Sequence, residues 1–197
     1  KKGLLIVLGV IVGIILVSFM VFGGVYNKLV TAEEGVNSAW AQVENVYQRR
    51  LDLVPNLVEI VKGYAAHERE TLQGVVDARS KISQMNIGSD IVNNPETLAK
   101  FQEAQQQLSS ALSRLLVVVE RYPDLKANTN FLQLQNELTT TEDKIAYSRQ
   151  FYNDSILTYN NKCKMFPGNF FANMYGFKEK EYIKIAEAER KVVNVKF

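Results

Sequence analysis

Chemistry in a protein begins with groups that can move protons, hold metals or attack carbon, and this chain has few of them. It carries one histidine, His67, and one cysteine, Cys163. A zinc cage draws on several such ligands, and a disulfide needs a second cysteine. His67-Glu68-Arg69-Glu70-Thr71 starts like the metalloprotease pattern His-Glu-x-x-His, but position 71 is threonine. Carboxylates inside a helical bundle can hold two metal ions through paired Glu-x-x-His motifs, yet the residue three before His67 is Tyr64. There is no nucleophile elbow and no glycine-rich phosphate loop. Cys163 falls on an apolar helical seam, where a free thiol behaves as a small apolar side chain. The residue inventory thus implies no cofactor and points away from an enzyme, with an envelope hydrolase or metal-binding bundle as the least favoured reading.

The remaining polar candidates are charges in apolar surroundings. Glu33, Glu68, Arg79, Glu142 and Arg149 fall on or beside core positions of helical seams. An unpaired buried charge is very costly, so these residues are expected to form interhelical ion pairs that set helix register. Arg49 and Arg50 are adjacent and therefore point to different sides of a helix; a solvated face is the favoured reading, with pairing to Asp52, Glu44 or an acidic partner as the alternative. The stretch Phe166-Pro-Gly-Asn-Phe-Phe-Ala-Asn-Met-Tyr-Gly-Phe177 contains five aromatic residues. It can close the end of a bundle, or Phe170, Phe171, Tyr175 and Phe177 can meet another chain or lipid headgroups.

These groups need elements to hold them, and the first is apolar. No charged residue occurs between Lys2 and Lys28. At about 1.5 Å per residue, roughly twenty such residues cross a hydrocarbon layer of about 30 Å. The stretch is too long for a signal peptide, lacks a small-x-small cleavage site, and has no cysteine just after it for a lipid anchor. It reads as a single-pass inner-membrane anchor. Lys1 and Lys2 on one side against Lys28 on the other place the N-terminus in the cytoplasm and the bulk of the chain outside it. Gly9 and Gly13 form a small-xxx-small pair suited to packing against another membrane helix. Over the whole chain, 23 basic residues face 21 acidic ones. Lys1 and Lys2 account for the excess, so the body lacks the basic surplus of a nucleic-acid binder.

Beyond the anchor, turn residues are sparse and the apolar period is helical. One coiled-coil-like seam runs through Val36, Trp40, Val43, Tyr47, Leu51, Val54, Val58, Val61, Ala65, Leu72, Val75 and Ile82. A second runs from Leu98 to Tyr122, and a third through Phe131, Leu138, Ile145, Tyr152, Ile156, Tyr159, Cys163 and Phe166. Met85 to Asp90 reads as a loop, and Asn94 caps a helix that starts at Pro95. Reversals at Pro55 and Pro123 give an all-α fold, with a transmembrane helix followed by an up-down antiparallel four-helix bundle of long helices. The first seam stays in phase across Pro55, so a long helix kinked there is the alternative. The domains expected are 1–25 as anchor, 26–165 as bundle and 166–197 as an aromatic-rich segment with a short helix and a tail. The end of that tail, Val192 to Phe197, alternates like a short strand.

Together these residues resemble the LemA family of bacterial membrane proteins. The motifs include Tyr26-Asn27-x-Leu29-Val30, Ala39-Trp40-x-Gln42-Val43-Glu44, Arg49-Arg50-x-Asp52-Leu53-Val54-Pro55-Asn56-Leu57-Val58 and Val61-Lys62-Gly63-Tyr64. Further along come Arg114-Leu115-Leu116-Val117-Val118-Val119-Glu120-x-Tyr122-Pro123-Asp124-Leu125-Lys126, Glu142-x-x-Ile145-Ala146-x-x-Arg149-x-x-Tyr152-Asn153 and Tyr159-Asn160. After Gly176-Phe177 the match loosens. The resemblance implies an anchor, a four-helix bundle outside the cytoplasm, reversal at Pro55 and protein partners, with no established enzyme activity and no catalytic residues to carry over. The leading expectation is a self-associating envelope scaffold, a homo-oligomer in contact with membrane lipid and with other envelope membrane proteins, and with no nucleic acid. The competing expectation is a monomeric adaptor that delivers clients to a membrane enzyme such as a protease.

Overall fold

The computed structural model describes residues 2–184, and every regular element among them is helical. The order is α1 (Lys2–Tyr64), α2 (Arg69–Ser83), a 3₁₀ turn (Ser89–Asn93), α3 (Pro95–Val119), the short α4 (Pro123–Lys126), α5 (Thr129–Lys164) and α6 (Gly168–Tyr175). The strand-like pattern at 192–197 lies outside the described residues. The chain divides into two compact units, each built from separated segments. One comprises residues up to Ser38 with Asp154–Lys180, and the other comprises Ala39–Asn153 with the residues from Glu181 on.

The second unit holds four helical segments, and its contacts give their directions. Trp40 Nε1 donates to the Ile87 carbonyl at 2.9 Å, and Arg79 Nε donates to the Leu51 carbonyl at 2.9 Å, so α1 and α2 run antiparallel. Tyr122 meets Glu68 while Gln107 meets Lys81, which sets α2 against α3 in the same way. Trp40 stacks edge-on with Tyr152, Arg50 pairs with Glu142, and Tyr64 accepts from Asn128, so α5 opposes α1. This is the up-down bundle. Trp40, Phe101 and Tyr152, all essentially free of solvent, form its aromatic centre, with Trp40–Phe101 and Trp40–Tyr152 centroids 5.7 and 5.6 Å apart. Pairs of that kind add about 1 kcal/mol each beyond area burial.

The boundaries expected at the loop stand. Asn94 is extended (φ −125°, ψ 95°), its side chain accepts from the Thr97 N–H, and Pro95 fills the first helical position. Asn128 caps α5 by accepting from the Phe131 N–H at 3.0 Å.

At Pro55 the expected reversal does not occur: α1 runs through it, as in the long-helix alternative, and the chain turns at Ala65–Glu68. Proline lacks the N–H that a helix would direct to the carbonyl four residues earlier, here that of Leu51. The Arg79 guanidinium supplies the missing donor. With that carbonyl satisfied, the apolar stripe Val54, Leu57 and Val61 holds the helix in place by burial. Phe166, expected on the third seam, is instead 88% exposed.

Candidate functional site

The surface of α1 changes character along its length. From Ile6 to Phe22, valine, isoleucine, leucine, phenylalanine and methionine side chains are exposed on all sides of the helix. From Leu29 on, a one-sided stripe is buried: Leu29, Val36, Val43, Leu51. A helix apolar all round and exposed all round is long and apolar enough to cross a membrane. Gly9 and Gly13 lie on this stretch, and a Cβ added at either would meet nothing within 4 Å.

In the first unit, α6 lies against this helix just past the exposed stretch. The Phe22 and Phe171 rings meet edge-on at 4.7 Å, and Tyr26 meets Tyr175 at 4.9 Å and Phe177 at 5.9 Å. Phe171 is buried, whereas Phe170 and Tyr175 are exposed. Gly168 admits no other residue, because a Cβ there would stand 2.0 Å from the Lys162 carbonyl oxygen. Gly176, in the left-handed conformation at φ 80°, ends the helix.

The same unit buries a cation. Lys180 is 6% exposed; its Nζ is 3.0 Å from the Glu33 carboxylate and 5.3 Å from the centre of the Tyr159 ring. Glu33 thus pairs with a lysine from a non-helical segment, a partner that the seam pattern does not mark. Beside it, burial pushes the Tyr159 hydroxyl upward, and the adjoining Cys163 thiol adds to the shift. Burial likewise raises the Cys163 thiol, so the group is a protonated, inert thiol at neutral pH.

Of the other charged candidates, all in the second unit, Glu68 pairs with Arg121 at 2.9 Å and Glu142 pairs with Arg50 at 2.9 Å. Arg79 caps the Leu51 carbonyl, and Arg149 donates to the Lys184 carbonyl at 3.2 Å. Arg49 is exposed and pairs with Glu137. Arg50, placed by its sequence neighbourhood at a partner surface, is only 3% exposed and donates to Ser109 at 2.6 Å as well as meeting Glu142. It forms the floor of a groove of about 950 Å³ between α3 and α5. Gln105 also lines the groove, and its buried amide nitrogen has no hydrogen-bond partner among the described residues.

The pattern of residue types alone misses a pair of clamps on α5. Tyr159 donates to the Lys178 carbonyl at 2.9 Å, and Asn160 exchanges two 3.0 Å bonds with the N–H and carbonyl of Lys180. In the other unit, Tyr152 donates to the Glu181 carbonyl, and Asn153 binds both main-chain groups of Ile183 at 3.0 and 2.9 Å. The signal was present as a Tyr-Asn dipeptide repeated after seven residues. Seven helical residues rise about 10.5 Å, close to the length of three extended residues, which is why the two clamps hold positions three apart. Burial raises the Tyr152 hydroxyl too, with the Glu181 charge adding to it.

Among the described residues no three His, Cys, Asp or Glu side chains converge as metal ligands would. Residues 39–197 match the model of the LemA family. The chain is 30% identical over 175 residues to "Magnetosome protein MamQ 2" of Paramagnetospirillum magneticum, covering 81% of this chain and 64% of that protein. It is 29% identical over 173 residues to "Magnetosome protein MamQ" of Magnetospirillum gryphiswaldense, covering 80% and 64%. It is 26% identical over 172 residues to "Protein LemA" of Metamycoplasma hominis, covering 87% and 74%. The chain thus spans 64% of the length of these MamQ relatives. It belongs to the LemA family.

Proposed function

We propose that this LemA-family chain is a non-catalytic, membrane-anchored scaffold of the cell envelope that associates with copies of itself. The observation that carries the reading is the exposed apolar surface of α1 from Ile6 to Phe22, interrupted by Gly9 and Gly13 with open space above them. In lipid, helices associate through close backbone approach at such small residues. The N-terminal lysines favour a cytoplasmic N-terminus, with the helical body on the other side of the membrane. The names of the relatives, LemA and magnetosome protein MamQ, state no reaction.

The adaptor reading is favoured by one separate observation, the α3/α5 groove, where the Gln105 amide nitrogen has no partner among the described residues, which suits a client segment better than a self-contact. Light scattering of the chain with its apolar α1 stretch in nanodiscs separates the two. A scaffold gives a discrete multiple of 22.3 kDa, and Gly9→Leu with Gly13→Leu reduces it to one copy. A single copy for both the parent and the variant overturns self-association and leaves the adaptor.

A further inference from the structure

The aromatic segment around α6 has an outward face that neither packing nor the anchor explains. Phe171 turns toward α1, while Met165, Phe166, Phe170, Met174 and Tyr175 are between 49% and 88% exposed. No charged residue occurs from Met165 to Phe177, and Lys164 and Lys178 flank the segment. Side chains this apolar and this exposed on a fixed helix need a non-aqueous neighbour.

The contacts with α1 indicate which neighbour. Phe22 stands in the last turn of the exposed apolar stretch, and Tyr26 lies one turn beyond, about 6 Å further along the axis. The rings of Phe171, Tyr175 and Phe177 rest on these two residues. Hence α6 stands at the level where an anchor of this length leaves the hydrocarbon for the headgroups. Its exposed face presents Phe170, Met174 and Tyr175 together with the uncharged Asn169 and Asn173, beside the end of the apolar stretch that includes Phe19, Met20 and Phe22. Aromatic and methionine side chains suit that boundary, where rings enter the acyl edge; of the flanking lysines, Lys164 pairs with Glu179 at 2.8 Å and Lys178 is exposed.

We infer that α6 is a second membrane contact: a short interfacial helix whose Phe170 and Met174, with Phe166 just before it, enter the outer boundary of the same bilayer that α1 crosses. The inference rests on the proposed anchor. Its consequence is rotational, because a single helix can spin about its axis and a second contact point stops it.

The test uses the full chain in vesicles of phosphatidylcholine with one fifth phosphatidylglycerol. Nitroxide labels are placed singly by Ile11→Cys, Phe170→Cys and Tyr147→Cys, and their collision rates are read with oxygen, which concentrates in lipid, and with a water-soluble nickel chelate. Cys163 is buried, and the unsubstituted chain serves as the control that it takes no label. The expected result is that positions 11 and 170 both favour oxygen and position 147 favours nickel. Nickel access at 170 with oxygen preference at 11 overturns the interfacial helix while leaving the anchor intact. Shielding of 170 from both reagents also overturns it and assigns the face to another protein copy. Nickel access at 11 overturns the anchor reading itself. In the Phe166→Ser, Phe170→Ser double variant, a label introduced by Met174→Cys should shift toward nickel at least threefold, because the wedge that holds it in lipid is gone.

Discussion

Two prolines fall within long helical stretches of the second unit, and the chain does opposite things at them. At Pro123 the preceding Tyr122 is extended (φ −122°, ψ 88°), α3 has already ended, and the proline opens the short α4. That is the ordinary response, since proline's ring disfavours helix in the residue before it. At Pro55 the helix continues. The difference lies in a neighbour: the Leu51 carbonyl, deprived of its helical donor and shut away from water, receives Arg79 Nε from α2. A proline is thus a local instruction that a distant side chain can countermand.

The comparison can be broken by removing the neighbour. Arg79→Leu leaves a buried carbonyl without a donor, and the expected loss is about 2–3 kcal/mol. In thermal unfolding of the detergent-solubilised chain this lowers Tm by roughly 5–10 °C; an unchanged Tm would mean that packing alone carries α1 across Pro55. It can be sharpened by returning the donor to the backbone. In a Pro55→Ala background the residue 55 N–H reaches Leu51, so Arg79→Leu should cost at least about 1 kcal/mol less than in the parent, as a double-mutant cycle reads out. The smallest effect is expected at the other proline. Pro123→Ala, at the first position of a helix where no donor is needed, changes stability by about 0.5 kcal/mol, mainly through the freedom of the unfolded chain.

The fold's class and most of its helices could be read from apolar spacing, because a buried stripe recurs every three or four residues whatever it packs against. Trp40, Phe101, Leu115, Tyr152 and Ile156 are buried as their seams imply. Caps were legible for the same reason: Asn94-Pro95 acts within one turn. The turn at Ala65–Glu68 was not, since it contains neither glycine nor proline and the seam keeps its phase across it. The charged misfits were legible as residues needing partners, but not as to which partners. Glu33 finds Lys180, which lies far along the sequence in a segment without helical period. Arg79 finds a carbonyl, and carbonyls have no letter in a sequence. Arg50 looked like half of a surface pair and proves to be buried, because the face each arginine takes depends on where α3 and α5 stand.

The paired Tyr-Asn clamps have a consequence for how this protein can change over time. Their hydrogen bonds go to main-chain atoms of residues 178–183 and to no side chain there, while the Lys180 ammonium is separately engaged. A grip on the backbone is blind to the letters it holds. Positions 179, 181, 182 and 184 are exposed, and their side chains can be exchanged by drift or by an engineer while the backbone grip remains, at the cost of the Glu179–Lys164 ion pair at 179 and provided proline is kept from 180, 183 and 184, whose N–H groups are taken. The segment is therefore a rail held by its backbone, along which the exposed side chains can be exchanged.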